Sequence, residues 1–220
     1  MPWYLIWDWN GTLLDDVQAA VNALNRMLAV RGVPPTTLEY YRAHFGFPVR
    51  PFYAELGVDL DHEDWDRICL DFHRFIAHEP DQRLRPDAAA TLERASRLGF
   101  RQCILSALRE DILRRNVTAA GIADHFDEIF GVDNLDGATK LSRGRDLLAV
   151  LKDRTSPDHC FFIGDTLHDA EVATALGFKC VLVDGGHQNA SRLAPSGHPV
   201  AATLADALDL IAHAIDNSPH

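Results

Sequence analysis

The sequence predicts an α/β fold: a doubly wound parallel sheet with a small α-helical domain inserted after its first strand. Three observations carry that prediction. Trp3 to Trp7 is a short apolar run, rich in aromatic residues, that reads as a strand buried on both faces. From about Asp16 to Arg83 the apolar periodicity is helical throughout. From Pro86 onward strand-like and helix-like runs alternate, and helices of that length between strands imply parallel pairing with right-handed crossovers covering both faces of the sheet. A core domain of residues 1–15 and 84–220 and a helical cap of residues 16–83 follow.

The elements are expected in this order. After the first strand, Asp15-Asp16 looks like an N-cap, and Val17, Val21, Leu24, Met27 and Leu28 fall at helical spacing until Gly32 and Pro34-Pro35 stop the helix. Thr36-Thr37 can cap a second helix through Tyr40, Tyr41 and His44, which Gly46-Phe47-Pro48 breaks. Pro51 to Leu56 reads as a short helix. Asp61 to His78 reads as a longer amphipathic one, whose spacing makes Trp65, Phe72 and Phe75 part of the helical domain's own core. In the second part, Asp87 to Arg97 reads as a helix, Phe100 to Leu105 as a strand and Arg109 to Ala120 as a helix. Phe126 to Phe130 follows as a strand, Leu141 to Leu151 as a helix and Cys160 to Ile163 as a strand. Asp169 to Leu176 is then a helix closed by Gly177, Lys179 to Val183 a strand, Val200-Ala201 a last strand, and Leu204 to Ile215 a last helix.

Composition narrows the function. A chain of 220 residues with 47% hydrophobic content can bury a proper core. Its net charge of -11 disfavours nucleic acid as a partner, since non-specific binding depends on clustered lysine and arginine. Lysine occurs only as Lys140, Lys152 and Lys179. Cys69, Cys103, Cys160 and Cys180 show no metal-ligand spacing and read as buried thiols. No window has the length of a membrane span and no secretory leader is visible, so a cytoplasmic protein, monomer or homodimer, is expected.

The chemistry collects at strand ends, where open parallel sheets bind ligands. Asp8 ends the first strand, and Asn10-Gly11 is a turn pair that exposes backbone N–H groups. An aspartate with an unperturbed pKa near ~3.9 is ionised at neutral pH, able to bind a metal or attack an electrophile. That segment alone equally admits an aspartate that caps a turn. Thr12 follows in the same segment, Ser106 follows the second strand, Lys140 opens a helix after a glycine-containing loop, and Gly164-Asp165-Thr166-Leu167-His168-Asp169 follows another strand. Together they form an inventory for metal and phosphate: hard oxygen ligands suit Mg²⁺, and an ammonium with helix-start N–H groups offsets phosphate charge.

These motifs, in this order, resemble the haloacid dehalogenase superfamily, specifically its aspartate-nucleophile phosphatases with a small helical cap, such as the phosphoglycolate-phosphatase-like members. The resemblance runs from Trp3 to about Val200. It implies that Asp8 attacks phosphorus to form an aspartyl-phosphate that water hydrolyses. It further implies that Asp8, the backbone carbonyl of Asn10, Asp165 and Asp169 hold Mg²⁺, that Thr12 and Ser106 bind the phosphate, and that Lys140 pairs with both phosphate and carboxylates. The substrate implied is a small phosphorylated metabolite.

One position departs from the family pattern. Most of its phosphatases carry a second aspartate two residues after the nucleophile, as acid and base; here it is Asn10. General acid–base help is typically worth about 10²- to 10⁴-fold, and its loss matters least for acidic leaving groups such as aryl or acyl phosphates. Another group such as His168, or His44 or Tyr53 from the cap, supplies the proton in one reading. In another the enzyme is slow and takes a good leaving group, and in a third the chain senses a phosphometabolite without turnover. Transfer to a sugar instead of water is a further option. The phosphonate-cleaving relatives use a cap lysine that this chain lacks, and the dehalogenating ones do not need the Asp165 and Asp169 pair. Within the cap, Arg50 is expected to grip a carboxylate or second phosphate, beside His44 and Tyr53. His187 is expected either at the rim of the site or in solvent.

Overall fold

The structure, a computed structural model, describes residues 1–80, 82–133 and 139–217. The chain opens with β1 (Tyr4–Trp7) and the short β2 (Leu14–Asp15). Helices α1 (Val17–Val30), α2 (Leu38–His44), α3 (Val49–Glu55) and α4 (Trp65–Ile76) follow, before β3 (Arg83–Leu84) pairs antiparallel with β2. The alternating part runs α5 (Ala88–Arg97), β4 (Arg101–Arg109), α6 (Glu110–Ala119), β5 (Glu128–Val132), α7 (Lys140–Leu151) and β6 (Cys160–Gly164). It ends with α8 (Leu167–Leu176), β7 (Lys179–Val183), α9 (Ala190–Leu193), β8 (Val200–Ala201) and α10 (Leu204–Asp216).

The main sheet has six strands in the order β5-β4-β1-β6-β7-β8, every neighbouring pair parallel. The strand order reverses at β1: the chain builds outward through β4 and β5, then returns to the other side of β1 with β6. Such a reversal leaves a crevice at the carboxyl ends of the central strands. β1 is wholly buried, as an aromatic and aliphatic run between two helical layers must be. Leu5, Trp7 and Ile163 belong to the apolar cluster on one face of the sheet, while Tyr4, Ile6 and Phe162 belong to that on the other. Alternate side chains of one strand thus feed opposite layers.

Helices α1 to α4 share a third apolar cluster, built from residues such as Leu24, Met27, Tyr41, Phe52 and Ile68. Among the helices, α1 contributes the largest share of its buried residues because its apolar positions recur at helical spacing along one face. Arg31 ties this layer together, reaching Glu63 at 2.7 Å and Asp71 at 3.0 Å.

Some sequence expectations need correction. The second long strand does not stop at Leu105 but continues to Arg109, with an irregular register against β5 beyond Leu105. Ser106 therefore lies within β4, not after it. The strand expected over Phe126 to Phe130 sits two residues later, at Glu128–Val132. The β2–β3 pair is too short to leave a period-2 pattern. The glycine-containing loop before Lys140 falls largely outside the described residues. All four cysteines are buried, as expected, and no helix of the described residues is long and apolar enough to cross a membrane.

Candidate active site

Each charged group in the crevice is fixed by the end of a core element. Asp8 directly follows β1, and its backbone N–H donates to the Ile163 carbonyl at 2.8 Å, which extends the β1–β6 ladder by one residue. Asp165 directly follows β6. Asp169 lies in the first turn of α8, where it forms a capping box with Thr166. One oxygen of its carboxylate accepts from the Asp165 and Thr166 N–H groups and the Thr166 hydroxyl at 3.1, 2.9 and 2.7 Å. Its other oxygen accepts from Lys140. Lys140 is the first residue of α7, only 2% exposed, and its Nζ donates at 2.6 Å to both Asp8 Oδ1 and Asp169 Oδ1.

Asp8, Asp165 and Asp169 each present a ligand atom, and the three atoms lie within 4.8 Å of one another. Three buried carboxylates so close are costly unless a cation joins them. Burial pushes Asp8 up to about 8, with Asp169 and Asp165 adding to the rise and Lys140 opposing it. Asp165 is raised as well, first by burial. Asp169 is held below the usual carboxylate range: Lys140, Thr166 and His168 outweigh the burial that opposes them. With Asp16 nearby, the carboxylates outnumber Lys140 and His187, and all offer hard oxygen donors. The cluster is therefore able to hold a divalent cation.

Asp165 is fully buried and held on both sides, accepting from Thr12 Oγ1 at 2.9 Å and from the His187 N–H at 2.6 Å. Gly11 and Gly186 pass so close to it that a side chain at either would overlap its carboxylate. Gly11 also has φ +72°, a conformation that glycine adopts without strain. Thr12, expected to bind phosphate, donates its hydroxyl to Asp165 and lies outside the cavity lining.

Above these groups lies a cavity of about 370 Å³. Asp8, Asn10, Ser106, Lys140, Asp169 and His187 face it from the core side. Ser106 is buried, and its hydroxyl accepts from the Leu108 N–H at 3.1 Å. Of the residues expected from the helical segment, Tyr53 lines the cavity, whereas His44 and Arg50 do not. His44 stacks on Tyr40 and pairs with Glu55 at 2.6 Å. Arg50 turns outward over the Trp65 ring, 5.5 Å from its centroid. Both stand at the surface of the helical segment, where Glu55 engages His44 and Trp65 engages Arg50. Phe72, expected to be core only, also reaches the cavity wall. His168 opens α8 beside Phe47 and lies outside the lining; burial, then Lys140, pushes its imidazole below its ordinary value.

Two residues were not legible as a unit. Asp16 precedes α1 but makes no side-chain cap to it. Its carboxylate instead turns back into the crevice, accepting from the Asn10 side-chain amide at 2.6 Å and the Gly11 N–H at 2.8 Å. His187 meets it from the other side, Nε2 at 3.4 Å, while its Nδ1 shares a 2.9 Å hydrogen bond with the Tyr41 hydroxyl. Burial alone would keep this imidazole neutral, but Asp16 and then Asp165 and Asp8 raise it to about 9. The doubled acid in Asp15-Asp16 was the one sequence signal, and capping explained it equally well.

The family model described as haloacid dehalogenase-like hydrolase matches residues 5–183. The chain belongs to that family and is a hydrolase of its kind. Within it, the chain is phosphoglycolate-phosphatase-like. It is 24% identical over 196 residues to a phosphoglycolate phosphatase of Pseudomonas putida, covering 86% of this chain and 72% of that one. Among solved structures, a predicted phosphatase from Clostridium acetobutylicum superposes with a TM-score of 0.78 at 18% identity, covering 99% of this chain and 100% of that chain. The D10N mutant of CbbY from Rhodobacter sphaeroides, solved with xylulose-(1,5)-bisphosphate, superposes with a TM-score of 0.68 at 22% identity, covering 94% of this chain and 96% of that one.

Proposed function

We propose that this protein is a Mg²⁺-dependent phosphatase of small phosphate monoesters, acting in the cytoplasm through an aspartyl-phosphate on Asp8. The convergence of Asp8, Asp165 and Asp169 on one point beside Lys140, at the floor of a cavity, carries this reading. Mg²⁺ held by the three carboxylates and the Asn10 carbonyl would neutralise phosphate charge and favour the ionised form of Asp8. Asp8 lies at the floor of the cavity, where its free oxygen attacks phosphorus in line with the leaving oxygen. The Ser106 hydroxyl and the Lys140 ammonium hold the phosphoryl oxygens, and phosphoryl transfer depends on such positioning and charge neutralisation more than on covalent help. Residues 16–83 act as a cap over the core of residues 1–15 and 84–220, excluding bulk water while the aspartyl-phosphate exists.

The test is hydrolysis of an aryl phosphate by the purified chain with Mg²⁺ and after chelation. Turnover that requires Mg²⁺ is expected; turnover that survives chelation contradicts the reading. A second expectation concerns stability. A carboxyl raised from 3.8 to about 8 favours folding while it is protonated in both states, and that contribution fades as pH rises toward 8. A cation that binds the ionised cluster should recover it. At roughly 100 times its Kd, Mg²⁺ adds about 2.7 kcal/mol, and the rise in Tm is expected to be larger at pH 8 than at pH 6.

Asn10 supports a second reading, in which the chain binds a phosphometabolite and signals with little turnover. Restoring an acid at this position is the direct probe, but Asp16 complicates it. In Asn10→Asp the new carboxylate would stand where the amide now lies 2.6 Å from Asp16, and like charges that close oppose ionisation of both. A proton shared between the two carboxyls is held away from the leaving oxygen, so the single variant is expected to gain little. The double variant Asn10→Asp/Asp16→Asn is expected to gain about tenfold or more on an alkyl phosphate, within the usual range of acid–base help. A single variant that outperforms the double contradicts this account of Asp16.

A further inference from the structure

The cavity over Asp8 divides sharply in chemistry. Its floor is charged, but its helical wall is mostly apolar, with Leu24, Phe45, Phe47, Tyr53, Phe72 and Ile76 beside the single imidazole of His73, and Leu108 and Ile112 line it from the core. Among the described lining residues the helical segment contributes no arginine or lysine. Four of its arginines are engaged elsewhere. Arg26 pairs with Glu79 at 3.2 Å, Arg31 with Glu63 and Asp71, and Arg42 donates to the Gly185 and Gly186 carbonyls at 2.8 and 3.0 Å. Arg50 covers Trp65. On the core side Lys140 is divided between Asp8 and Asp169, and the remaining lining arginine, Arg115, has a side chain 72% exposed at the rim and lies 3.9 Å from Asp111.

From this distribution we infer that the enzyme's substrates are phosphate monoesters of an apolar aromatic alcohol, not of a carboxylate or a second phosphate. The inference rests on the phosphatase reading and adds the leaving group to it. A second anion on the substrate would be desolvated against rings and aliphatic carbons, because Lys140 and His187 are already paired with carboxylates and Arg115 stands at the exposed rim, a costly arrangement. An aromatic ring instead finds edge and face partners in Phe45, Phe47, Tyr53 and Phe72, and the cavity volume lies within the range of small-molecule sites.

The amide at position 10 points the same way on separate grounds. Asp8 forms an O–P bond as the bond from phosphorus to the aryl oxygen breaks, and the electron pair leaves with that oxygen. An aryloxide carries the pair without prior protonation and takes its proton from water afterwards, so it does without the carboxylic acid that Asn10 replaces. Water then cleaves the aspartyl-phosphate, returning Asp8 and inorganic phosphate. The sum is aryl phosphate plus water giving phenol plus phosphate, with no further reactant.

The experiment compares kcat/KM for phenyl phosphate, 2-naphthyl phosphate and 2-phosphoglycolate with Mg²⁺ and the full chain. The two phenols are of similar acidity, so their ratio reads the wall and not the leaving group. The expected result is a value for the naphthyl ester about tenfold above the phenyl ester, and about a hundredfold or more above phosphoglycolate. Phe72→Gln, and Ile112→Asn from the opposite wall, should each bring the naphthyl-to-phenyl ratio towards one; either variant serves if the other does not fold. Phosphoglycolate turned over as well as, or better than, the aryl esters overturns the inference while leaving a phosphatase. Calorimetry with phenylphosphonate and phosphonoacetate separates the two readings. Tighter binding of the aryl ligand without turnover of any ester retains the aryl pocket and removes the hydrolytic reading. Tighter binding of phosphonoacetate removes the pocket.

Discussion

The Asp8→Asn protein is expected to fold and to lose turnover by about 10⁴-fold or more, the scale seen when a nucleophile is removed from a site whose groups act as a unit. The amide has the shape of the carboxylate but neither its charge nor its nucleophilicity, so what disappears is chemistry and not packing. Stability should move in an informative direction. Asp8 is buried and raised to about 8, which means that its ionised form costs the fold free energy at pH 8 when no cation is present. Lys140 keeps Asp169 as a partner at 2.6 Å. The variant's Tm without Mg²⁺ at pH 8 is therefore expected to equal or exceed that of the wild type, while the increment given by Mg²⁺ shrinks. Residual turnover within tenfold of the wild type would contradict the role given to Asp8.

Lys140→Met is expected to be the most damaging substitution to the fold. The ammonium is buried, donates to two carboxylates, and lies 5.1 Å from the centroid of the Phe162 ring. Removing it leaves Asp8 and Asp169 facing each other without their shared cation. Breaking a buried ion pair from one side typically costs about 3–5 kcal/mol. The same reasoning gives the loss a signature. Lowering the pH, which protonates the stranded carboxylates, or adding Mg²⁺, which bridges them, should recover part of it. Urea denaturation at pH 6 and pH 8, with and without Mg²⁺, checks both. A loss that neither pH nor Mg²⁺ relieves would mean that Lys140 matters by its packing alone.

The sequence made the fold and the acidic floor of the site legible because both depend on local patterns. A buried strand must be an apolar run, and a ligand-bearing acid after it must stand where that run ends, as Asp8 and Asp165 do. The helix after Asp165 was expected only from Asp169, and the structure starts it at Leu167 behind the Thr166–Asp169 capping box, whose fixed spacing the sequence does carry. What the sequence concealed depends on contacts across the chain. Asp16 looks like any helix cap, and only the turn at Asn10-Gly11 folding back onto it makes it part of the crevice. Thr12 has the right type to bind phosphate, yet a partner 153 residues away claims its hydroxyl. Arg50 and His44 have the chemistry to meet a substrate, but Trp65 and Glu55 satisfy them at the surface. Side-chain type was readable throughout; which side chain had already been claimed was not.

The central claim is that Asp8 becomes covalently phosphorylated beside a cation shared with Asp165 and Asp169. Acid-quenched protein, mixed briefly with an aryl phosphate and Mg²⁺, tests it by peptide mass spectrometry. The account predicts one added phosphoryl group on the peptide that carries Asp8, lost on treatment with hydroxylamine and absent without Mg²⁺. A phosphoryl group found on any other residue, during turnover that Asp8→Asn leaves intact, would contradict it.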